Sequence, residues 1–312
     1  MKLKYGTRGS KLALHQTRYA VDILKKSSDN VEFEEVIIKT LGDKVTGLPL
    51  FKVGGQGLFI KEIEQALLEK RIDIAVHSLK DVPSALAKGL TIVAIGGAQD
   101  PRDCFISKKY KSFEEMPIDA VIGTSSLRRR SQLSVLKPNI KFSDFRGNLD
   151  TRLRKLEEGE VDAIILAAAG LMRFDWQDRI THYFGIDNLT PAAGQGLLAI
   201  ECREEDVDKL KPILKDFIDE NAMLRSRAER TFLEILQGGC QTPMAVYAEV
   251  KDKDIILHSF IGSPDGKDTI RNLHIGHKVK PEELGKEAAE AILEMGGDRF
   301  IGISPTDAPP KV

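Results

Sequence analysis

The sequence is poor in cysteine and tryptophan and lacks long hydrophobic runs. Its 312 residues include one tryptophan and three cysteines, Cys104, Cys202 and Cys240. The cysteines are odd in number, far apart and without a CxxC pair, which excludes a disulfide framework and argues against a zinc site. The charged start MKLKYGTRGSKLAL and the lack of an apolar run of about 18 residues predict an unexported, cytoplasmic protein that does not enter the membrane.

An excess of charge of one sign is also missing. The 46 basic and 47 acidic residues give a net charge of -1. A chain this close to neutral is not expected to bind nucleic acid through its overall field. Recognition of an anion must therefore depend on local clusters of arginine and lysine.

Short apolar runs alternate with amphipathic helical patterns over the first two thirds of the chain. This alternation is typical of parallel sheets covered by helices. We expect two α/β lobes with mainly parallel sheets, domain 1 at 1–96 with 197–216 and domain 2 at 102–190. A strand at Leu197–Glu201 is expected to return to the first sheet. The pattern then changes and predicts a small α+β third domain, 220–312.

Three segments place basic residues where a helix is expected to begin, each after a predicted strand. They are TRGSK (Thr7–Lys11), GTSSLRRR (Gly123–Arg130) and FRGNLDTR (Phe145–Arg152). Ser10, Ser125 and Asn148 are the expected N-caps. The partial positive charge of a helix N-terminus favours acidic side chains, yet these segments are rich in cations. The cations are Arg8, Lys11, Arg128, Arg129, Arg130, Arg146 and Arg152.

A bound anion would account for these cations, because backbone N–H groups, hydroxyls and guanidinium groups can hold it together. In a parallel sheet the carboxyl ends of the strands meet at one edge, which is where ligands bind. The segments therefore predict a cleft for a ligand with several carboxylates or phosphates. The alternative is that each segment is an ordinary solvated helix start. Arg130, the third consecutive arginine, is expected on another face of its helix.

A fourth junction, VHSLKDVPSAL at Val76–Leu86, places Lys80 beside Asp81. It follows a predicted strand, and Pro83 restricts the turn. A carboxylate among the cations of the cleft is expected to stay ionised, which suits the handling of a cationic group or intermediate. The alternative is that Asp81 caps a helix. His77 is expected to be a satisfied turn residue.

The segment Leu41–Gly57 is rich in glycine and has no clear periodicity. A loop of this length inside a compact domain is usually functional or disordered. Its GGQGLF run lacks the Gly-Lys-Ser/Thr sequence of a phosphate loop. We therefore expect a mobile lid, with a disordered surface loop as the alternative.

Eight segments, in this order along the chain, together resemble the porphobilinogen deaminase family. The resemblance covers essentially the whole chain. The segments are RGSKLAL (8–14), GGQGLFIKEIE (54–64), AVHSLKDVP (75–83), GTSSLRRR (123–130), FRGNLDTRL (145–153), AAAGLMR (167–173), AAGQGLLAIE (192–201) and GGCQTPMA (238–245).

The resemblance implies three domains, the first two like the lobes of a periplasmic solute-binding protein. It implies a dipyrromethane cofactor attached by a thioether to Cys240. The expected activity is that of a transferase in tetrapyrrole and heme biosynthesis, a hydroxymethylbilane synthase. Such an enzyme joins four porphobilinogen molecules with loss of ammonia and releases hydroxymethylbilane by hydrolysis. The resemblance further implies a monomer and leaves open a hand-over of the product to uroporphyrinogen-III synthase.

Carried over position by position, the resemblance makes Asp81 the catalytic residue and implies no metal. The sequence departs from the family at Gln56, where many members have a lysine, so a carboxylate contact from that position is not expected. The implied cofactor contacts are Cys240, Arg8, Ser10, Lys80, Asp81, Thr124, Ser125, Ser126, Arg128, Arg129, Arg146, Arg152 and Arg173. The implied substrate contacts are Arg8, Arg146, Arg152, Arg173, Phe59 and Lys52.

Two other classes of protein fit parts of the pattern. A two-lobed anion-binding protein without chemistry would use the same arginine clusters, but it has no need of the GGCQTPMA segment. A phosphate-handling transferase is weakened by the lack of a phosphate loop or a metal-ligand spacing. At Cys240 itself the alternative is a buried structural cysteine. Release of ammonia from porphobilinogen would separate the three classes.

The match around Cys240 predicts that the intact protein weighs more than its sequence by two deaminated porphobilinogen units. A thioether does not dissociate when the fold is lost, so the added mass should persist in denaturing mass spectrometry. Cys240→Ser should lose both the added mass and the activity, whereas Cys104→Ser and Cys202→Ser should keep both. A fully active protein with the bare sequence mass would contradict this prediction.

Overall fold

A computed structural model describes the chain over residues 1–26, 28, 30–40, 60–237 and 242–302. The interpretations given above for the segment Leu41–Gly57 and for Lys52, Gln56, Phe59 and Cys240 concern residues outside these ranges. Within the described ranges, no helix is both long enough and apolar enough to cross a membrane.

The described residues form strands and helices in alternation, as the hydrophobic pattern predicts. The strands are β1 (Lys2–Arg8), β2 (Glu32–Ile38), β3 (Ile74–Ser78), β4 (Leu90–Gly96), β5 (Asp103–Ser107), β6 (Val121–Gly123), β7 (Lys141–Ser143), β8 (Ala163–Ala167), β9 (His182–Tyr183), β10 (Leu198–Arg203), β11 (Met244–Lys251), β12 (Asp254–Gly262) and β13 (Thr269–His277). The α-helices are α1 (Lys11–Lys26), α2 (Lys61–Leu68), α3 (Leu127–Leu136), α4 (Leu149–Glu157), α5 (Ala168–Met172), α6 (Val207–Leu214), α7 (Glu220–Ile235) and α8 (Pro281–Glu294).

The first lobe is built on a five-stranded sheet in the order β2-β1-β3-β10-β4. β1 pairs in parallel with β2 and β3, whereas β10 pairs antiparallel with β3 and β4. Four strands therefore run in one direction and β10 in the other. Helix α1 covers this sheet with a stripe of residues at helical spacing, Thr17, Ala20, Val21 and Leu24, all of which are buried.

The second lobe repeats this arrangement with the strand order β7-β6-β8-β5-β9. β6 pairs in parallel with β7 and β8, and β5 pairs antiparallel with β8 and β9. Here β5 is the single reversed strand. In both lobes the carboxyl ends of the parallel strands are therefore free to present loops and helix starts at one edge.

The chain crosses between the lobes twice, and a reversed strand follows each crossing. After β4 it passes through residues 97–102 into β5, and after residue 190 it returns through 191–197 into β10. The prediction that a strand near Leu197–Glu201 rejoins the first sheet is confirmed by the pairing of β10 with β3 and β4. Each lobe is thus an α/β unit with a mainly parallel sheet, as the sequence predicts.

The third domain packs two helices on one face of an antiparallel sheet. The strand order is β11-β12-β13, and both pairs are antiparallel. Helix α7 contacts β11, helix α8 contacts β13, and the two helices contact each other. Phe232, Leu257 and Ile292 are fully buried in the core between them. The domain boundaries 1–96 with 197–216, 102–190 and 220–312 remain a proposal, which the three separate sheets support.

Cys104 on β5 and Cys202 on β10 are fully buried in the cores of the two lobes. The Cys104 thiol donates a hydrogen bond to the Leu166 carbonyl at 3.4 Å. Burial raises the pKa of both thiols to about 12. The interpretation of both as small core residues is consistent with this environment.

These two thiols should be inert toward a thiol reagent in the native protein at pH 8. The thiolate is the reactive form, and a pKa of about 12 leaves about one thiol in ten thousand ionised at that pH. Peptide mapping after alkylation should find Cys104 and Cys202 unmodified in the native protein and fully modified in guanidinium chloride. Rapid native labelling of either one would contradict their placement.

Candidate active site

Each basic segment lies where the sequence pattern places it, between the end of a strand and the start of a helix. Segment Thr7–Lys11 joins β1 to α1, Gly123–Arg130 joins β6 to α3, and Phe145–Arg152 joins β7 to α4. Lys11 Nζ on the first lobe lies 3.0 Å from Asp150 Oδ2 on the second. The starts of α1 and α4 therefore face each other across the cleft between the lobes.

The N-caps differ in part from those expected. Ser10 Oγ accepts a hydrogen bond from the Ala13 N–H at 3.3 Å, but helix α3 is capped by Ser126, which accepts from the Arg129 N–H at 3.4 Å. The expectation of Ser125 was wrong because its hydroxyl is engaged by Phe145: it accepts from the N–H at 3.0 Å and donates to the carbonyl at 3.3 Å. Ser125 thereby ties two of the basic segments together.

Asn148 occupies the N-cap position of α4, but its side chain makes no capping hydrogen bond. His77 was expected in a turn and lies instead on β3, where its Nε2 is 2.9 Å from the buried Glu201 carboxylate. Strand β3 continues two residues beyond the predicted end at Val76, so His77 packs inside the lobe.

Two of the candidate arginines are buried and share one carboxylate. Arg128 Nη1 lies 2.7 Å from Asp103 Oδ2 and also donates to the Thr190 carbonyl at 2.7 Å. Arg129 donates to Asp103 Oδ1 from Nε at 3.1 Å and Nη2 at 2.7 Å, and to the Ile165 carbonyl at 2.9 Å. Burial favours the neutral acid, but the two arginines prevail and hold the pKa of Asp103 well below its usual range.

Arg130 points elsewhere and is only partly buried. Its Nε donates to the Thr124 carbonyl at 2.9 Å, and its Nη2 lies 2.7 Å from the exposed Asp144 carboxylate. This contact is a surface ion pair, in contrast to the buried pairs of its two neighbours.

The Arg152 guanidinium lies among other cations. Its Nε donates to the Gly147 carbonyl at 2.8 Å. Burial lowers the pKa of Arg152 to about 10, and Arg129 and Arg146 act in the same direction. Among the described residues, the charged groups with the largest effect on Arg152 are thus both positive, and a bound carboxylate would relieve this repulsion.

Lys80 and Asp81 lie in a short 3-10 turn, Leu79–Asp81, directly after β3. Both residues are exposed, and Lys80 lines the cavity between the lobes. The protein atoms around the cleft lower the pKa of Lys80 to about 8, and Arg129 also lowers it, while Asp81 opposes them. The charged form of Lys80 is therefore less stable in the protein than it would be in water. An anion beside it would stabilise that charge.

A cavity between the lobes contains Lys80 and Arg173. The first lobe contributes Ser78 and Lys80, the second contributes Gly170 and Arg173, and the return crossing contributes Gly194 and Gly196. Arg173 Nη2 donates to the carbonyls of Gly97 and Gly196 at 2.9 and 3.1 Å. One guanidinium thus holds both crossings, and burial lowers the pKa of Arg173 to about 10.

Gly194 allows the return crossing to lie against the turn Leu79–Asp81. Its φ is +70°, and a Cβ built there would lie 2.7 Å from Leu79 Cγ and 2.9 Å from the Lys80 backbone nitrogen. Gly196, with φ of +92°, would meet the Gln99 carbonyl oxygen at 2.5 Å. The backbone approach requires glycine at both positions.

The structure brings most of the predicted site residues into one region. Lys80, Asp81, Arg128, Arg129, Arg146, Arg152 and Arg173 are linked by direct electrostatic effects or by the shared cavity. Arg8 is half-buried at the end of β1, and Ser10 caps the facing helix. Sequence reasoning missed Asp103. The signal that could have pointed to it is the position of an acidic residue at the end of the first crossing.

The described residues also hold no group of three or more histidine, cysteine, aspartate or glutamate side chains arranged to bind a metal ion. A separate, open depression lined by Ser84, Lys88, Glu204 and Arg230 lies between the first lobe and helix α7. It contains none of the predicted site residues.

Comparison with known proteins shows the family to which the chain belongs. A family model described as "Porphobilinogen deaminase, dipyromethane cofactor binding domain" matches residues 3–211, and one described as "Porphobilinogen deaminase, C-terminal domain" matches residues 223–294. The chain belongs to the porphobilinogen deaminase family. A porphobilinogen deaminase of Brevibacillus brevis is 50% identical over 296 residues, which is 95% of each chain. One from Geobacillus kaustophilus is 47% identical over 297 residues, again 95% of each.

Solved structures with a similar arrangement of lobes include the methionine binding protein MetQ. It is 12% identical, with a TM-score of 0.44, and the match covers 69% of this chain and 89% of that chain.

The cations of the cleft suit the dipyrromethane cofactor of porphobilinogen deaminases. Such a group carries several carboxylates, which need donors that are not already neutralised by the protein. Arg152 and Lys80 meet this need, because Arg152 lies among like charges and Lys80 is poorly stabilised as a cation. Arg128 and Arg129 are paired with Asp103. They therefore contribute to binding mainly through a fixed electrostatic field, and through any N–H groups that Asp103 and the backbone carbonyls do not occupy.

Arg128→Leu and Arg129→Leu should each destabilise the protein by about 3–5 kcal/mol at pH 7, because removal of one partner leaves the Asp103 carboxylate buried and undercompensated. Arg130→Leu, which removes a surface pair, should cost less than about 1 kcal/mol. Urea unfolding measures all three. Both buried variants should also impair cofactor assembly or the first condensation.

The difference in the free energy of unfolding between wild type and the two buried-arginine variants should become smaller at low pH. The native pKa of Asp103 is depressed, so its ionisation stabilises the fold fully above the unfolded pKa of about 3.9. That stabilisation is lost as the pH falls further toward the native pKa. Equal losses for all three arginine variants at pH 7, or a difference that does not depend on pH, would contradict the shared role of Asp103.

Proposed function

We propose that this chain performs the porphobilinogen deaminase reaction in the cleft between its two lobes, with Asp81 as the catalytic residue. The reaction is that of hydroxymethylbilane synthase, in which four porphobilinogen molecules are joined with loss of ammonia and the linear product is released by hydrolysis. The observation that carries the residue assignment is the position of Asp81. Asp81 is exposed and lies directly beside Lys80, which lines the cavity between the lobes and whose charge Asp81 stabilises.

Asp81 supports two steps of the reaction. The aminomethyl group of porphobilinogen is cationic when protonated and must leave as ammonia. A carboxylate nearby can accept a hydrogen bond from this ammonium and orient it until its carbon–nitrogen bond breaks. Loss of ammonia leaves a cationic azafulvene from the substrate. A carboxylate fixed in the cleft stabilises that positive charge electrostatically. The same carboxylate can take the proton released when the new carbon–carbon bond is complete.

The cations bind the acetate and propionate groups of substrate and product. Arg8, Arg146, Arg152 and Arg173 are the proposed substrate contacts among the described residues, together with Lys52 and Phe59 outside them. The Arg152 guanidinium lies beside two other cations, Arg129 and Arg146, so a bound carboxylate would stabilise its charge. Lys80 is protonated below a pH of about 8, so its attraction for a carboxylate should weaken as the pH rises through that value.

The dipyrromethane cofactor, when bound through Cys240, supplies the pyrrole carbon to which the first substrate is joined. The proposed contacts on the first lobe are Arg8, Ser10, Lys80 and Asp81. Those on the second lobe are Thr124, Ser125, Ser126, Arg128, Arg129, Arg146, Arg152 and Arg173. Ser125 and Ser126 are already engaged in fixing the loop before α3, so their part is to hold that loop open to the cleft.

We further propose that the protein is a cytoplasmic monomer that works apart from membranes and nucleic acid. The near-neutral composition supports this proposal. Release of an open-chain product also leaves room for hand-over to uroporphyrinogen-III synthase. A two-lobed anion-binding protein would share the arginines, and it would not release ammonia from porphobilinogen.

Asp81→Asn should keep the fold and nearly abolish turnover, because the side chain keeps its size and loses its charge. Catalytic electrostatic groups commonly contribute about 10²–10³-fold to the rate. Ammonia release and product formation should fall by at least that factor, while circular dichroism and the cofactor mass stay unchanged. Retention of more than half of the wild-type rate would rule out the assigned role.

A further inference from the structure

Gln195 is the residue at which all three domains meet. It lies on the return crossing and is 1% exposed. Its side-chain Nε2 donates to the Pro101 carbonyl at 2.7 Å and to Asp103 Oδ1 at 3.1 Å. Its Oε1 accepts from Lys80 Nζ at 3.4 Å. One amide thus contacts the first crossing, the second lobe and the catalytic turn of the first lobe.

The orientation of the amide follows from its partners. Both groups on the Nε2 side, a backbone carbonyl and a carboxylate, are acceptors, so the amide must present its N–H donors to them. The carbonyl oxygen of the amide then faces Lys80, which is a donor only. A reversed amide would place two acceptors together on one side and two donors together on the other.

The backbone around Gln195 is fixed by the third domain. Arg225 Nη2 on helix α7 donates to the Gln195 carbonyl at 2.8 Å, and Glu229 Oε2 accepts from the Gly194 N–H at 2.6 Å. The other oxygen of Glu229 accepts from Arg225 Nε at 2.6 Å and from the Ala248 N–H on β11 at 2.9 Å. Arg225 and Glu229 are themselves buried.

We propose that Gln195 is a positioning residue for the deaminase reaction, which holds Lys80 beside Asp81 and couples that arrangement to the docking of the third domain. Lys80 lines the cavity between the lobes, and its ammonium donates a hydrogen bond to the side-chain oxygen of Gln195. The amide oxygen of Gln195 gives it a defined partner.

The proposal rests on the role assigned above to the Lys80–Asp81 turn, and its test does not depend on turnover. The reactivity of Lys80 toward trace acetic anhydride, read by mass spectrometry of its peptide in the intact holoenzyme, reports the fraction of free amine. Two substitutions at Gln195 should move this reactivity in opposite directions. A purely structural role would move it in the same direction for both or leave it unchanged.

Gln195→Met keeps the length of the side chain and removes the acceptor. A hydrogen bond to the ammonium favours the charged form, so its loss should raise the reactivity of Lys80 at pH 7 by about threefold. Gln195→Glu places a carboxylate beside the ammonium. Since an opposite charge within about 4–6 Å favours the charged form by one unit or more, the reactivity of Lys80 should fall by about tenfold.

Gln132→Met is the matched control. Gln132 is also fully buried and also bonds the return crossing, where its Nε2 donates to the Thr190 carbonyl at 3.1 Å and its Oε1 accepts from the Thr190 N–H at 2.9 Å. It makes no contact with Lys80 among its hydrogen bonds. Its loss should lower the melting temperature about as much as Gln195→Met does and leave the reactivity of Lys80 unchanged.

In addition, Gln195→Met should lower kcat about tenfold or more with little change in KM, as expected when a catalytic arrangement and not substrate binding is disturbed. Gln195→Glu places a carboxylate oxygen against the Pro101 carbonyl and Asp103, so circular dichroism must first show that each variant folds. Either folded variant decides the test alone, because the two have opposite expected directions. Unchanged reactivity in Gln195→Glu, or equal shifts in the control, would overturn the proposal. An active Asp81→Asn enzyme combined with the expected labelling would instead refute the proposed catalytic residue and leave the positioning role intact.

Discussion

The geometry of the cleft depends on one buried carboxylate. Asp103 is the first residue of β5, directly after the chain enters the second lobe, and it neutralises both Arg128 and Arg129 at the start of α3. Two guanidinium groups can be removed from water only when well-placed acceptors replace the solvent. The position of α3 is therefore fixed relative to the first crossing. Through Gln195 the same carboxylate also fixes the return crossing.

The cations around the cleft divide into two groups by what neutralises them. Arg128 and Arg129 are balanced inside the protein, and Arg173 is occupied by the backbone carbonyls of the two crossings. Arg152 and Lys80 carry charge that the protein stabilises poorly. A ligand with several carboxylates would neutralise the cations of this second group. A protein with almost no net charge can thus have a strongly anion-selective cleft, because the excess of positive charge is local.

Helix α7 of the third domain forms hydrogen bonds with the backbone around the cleft. Arg225 and Glu229 hold the return crossing. The next residue along the helix, Arg230, donates from Nη2 to the carbonyls of Pro83 and Ser84, just after Asp81, at 2.9 and 2.8 Å. The catalytic turn is therefore held on both sides by contacts that originate outside its own lobe. A shift of the third domain would be transmitted to it through hydrogen bonds and not only through packing.

The sequence by itself determined the order of strands and helices, the return of β10 to the first sheet and the presence of cations at three helix starts. These features follow from hydrophobic periodicity and from residue types within a few positions of each other, which local sequence records. Eight family segments also identified the reaction. Tertiary structure alone decided that Ser126 caps α3, that His77 lies inside a strand against Glu201, and that Asp103 and Gln195 serve the site. Each of these outcomes depends on which distant residues meet in the same buried volume, because a buried polar group must find its partner wherever the fold supplies one.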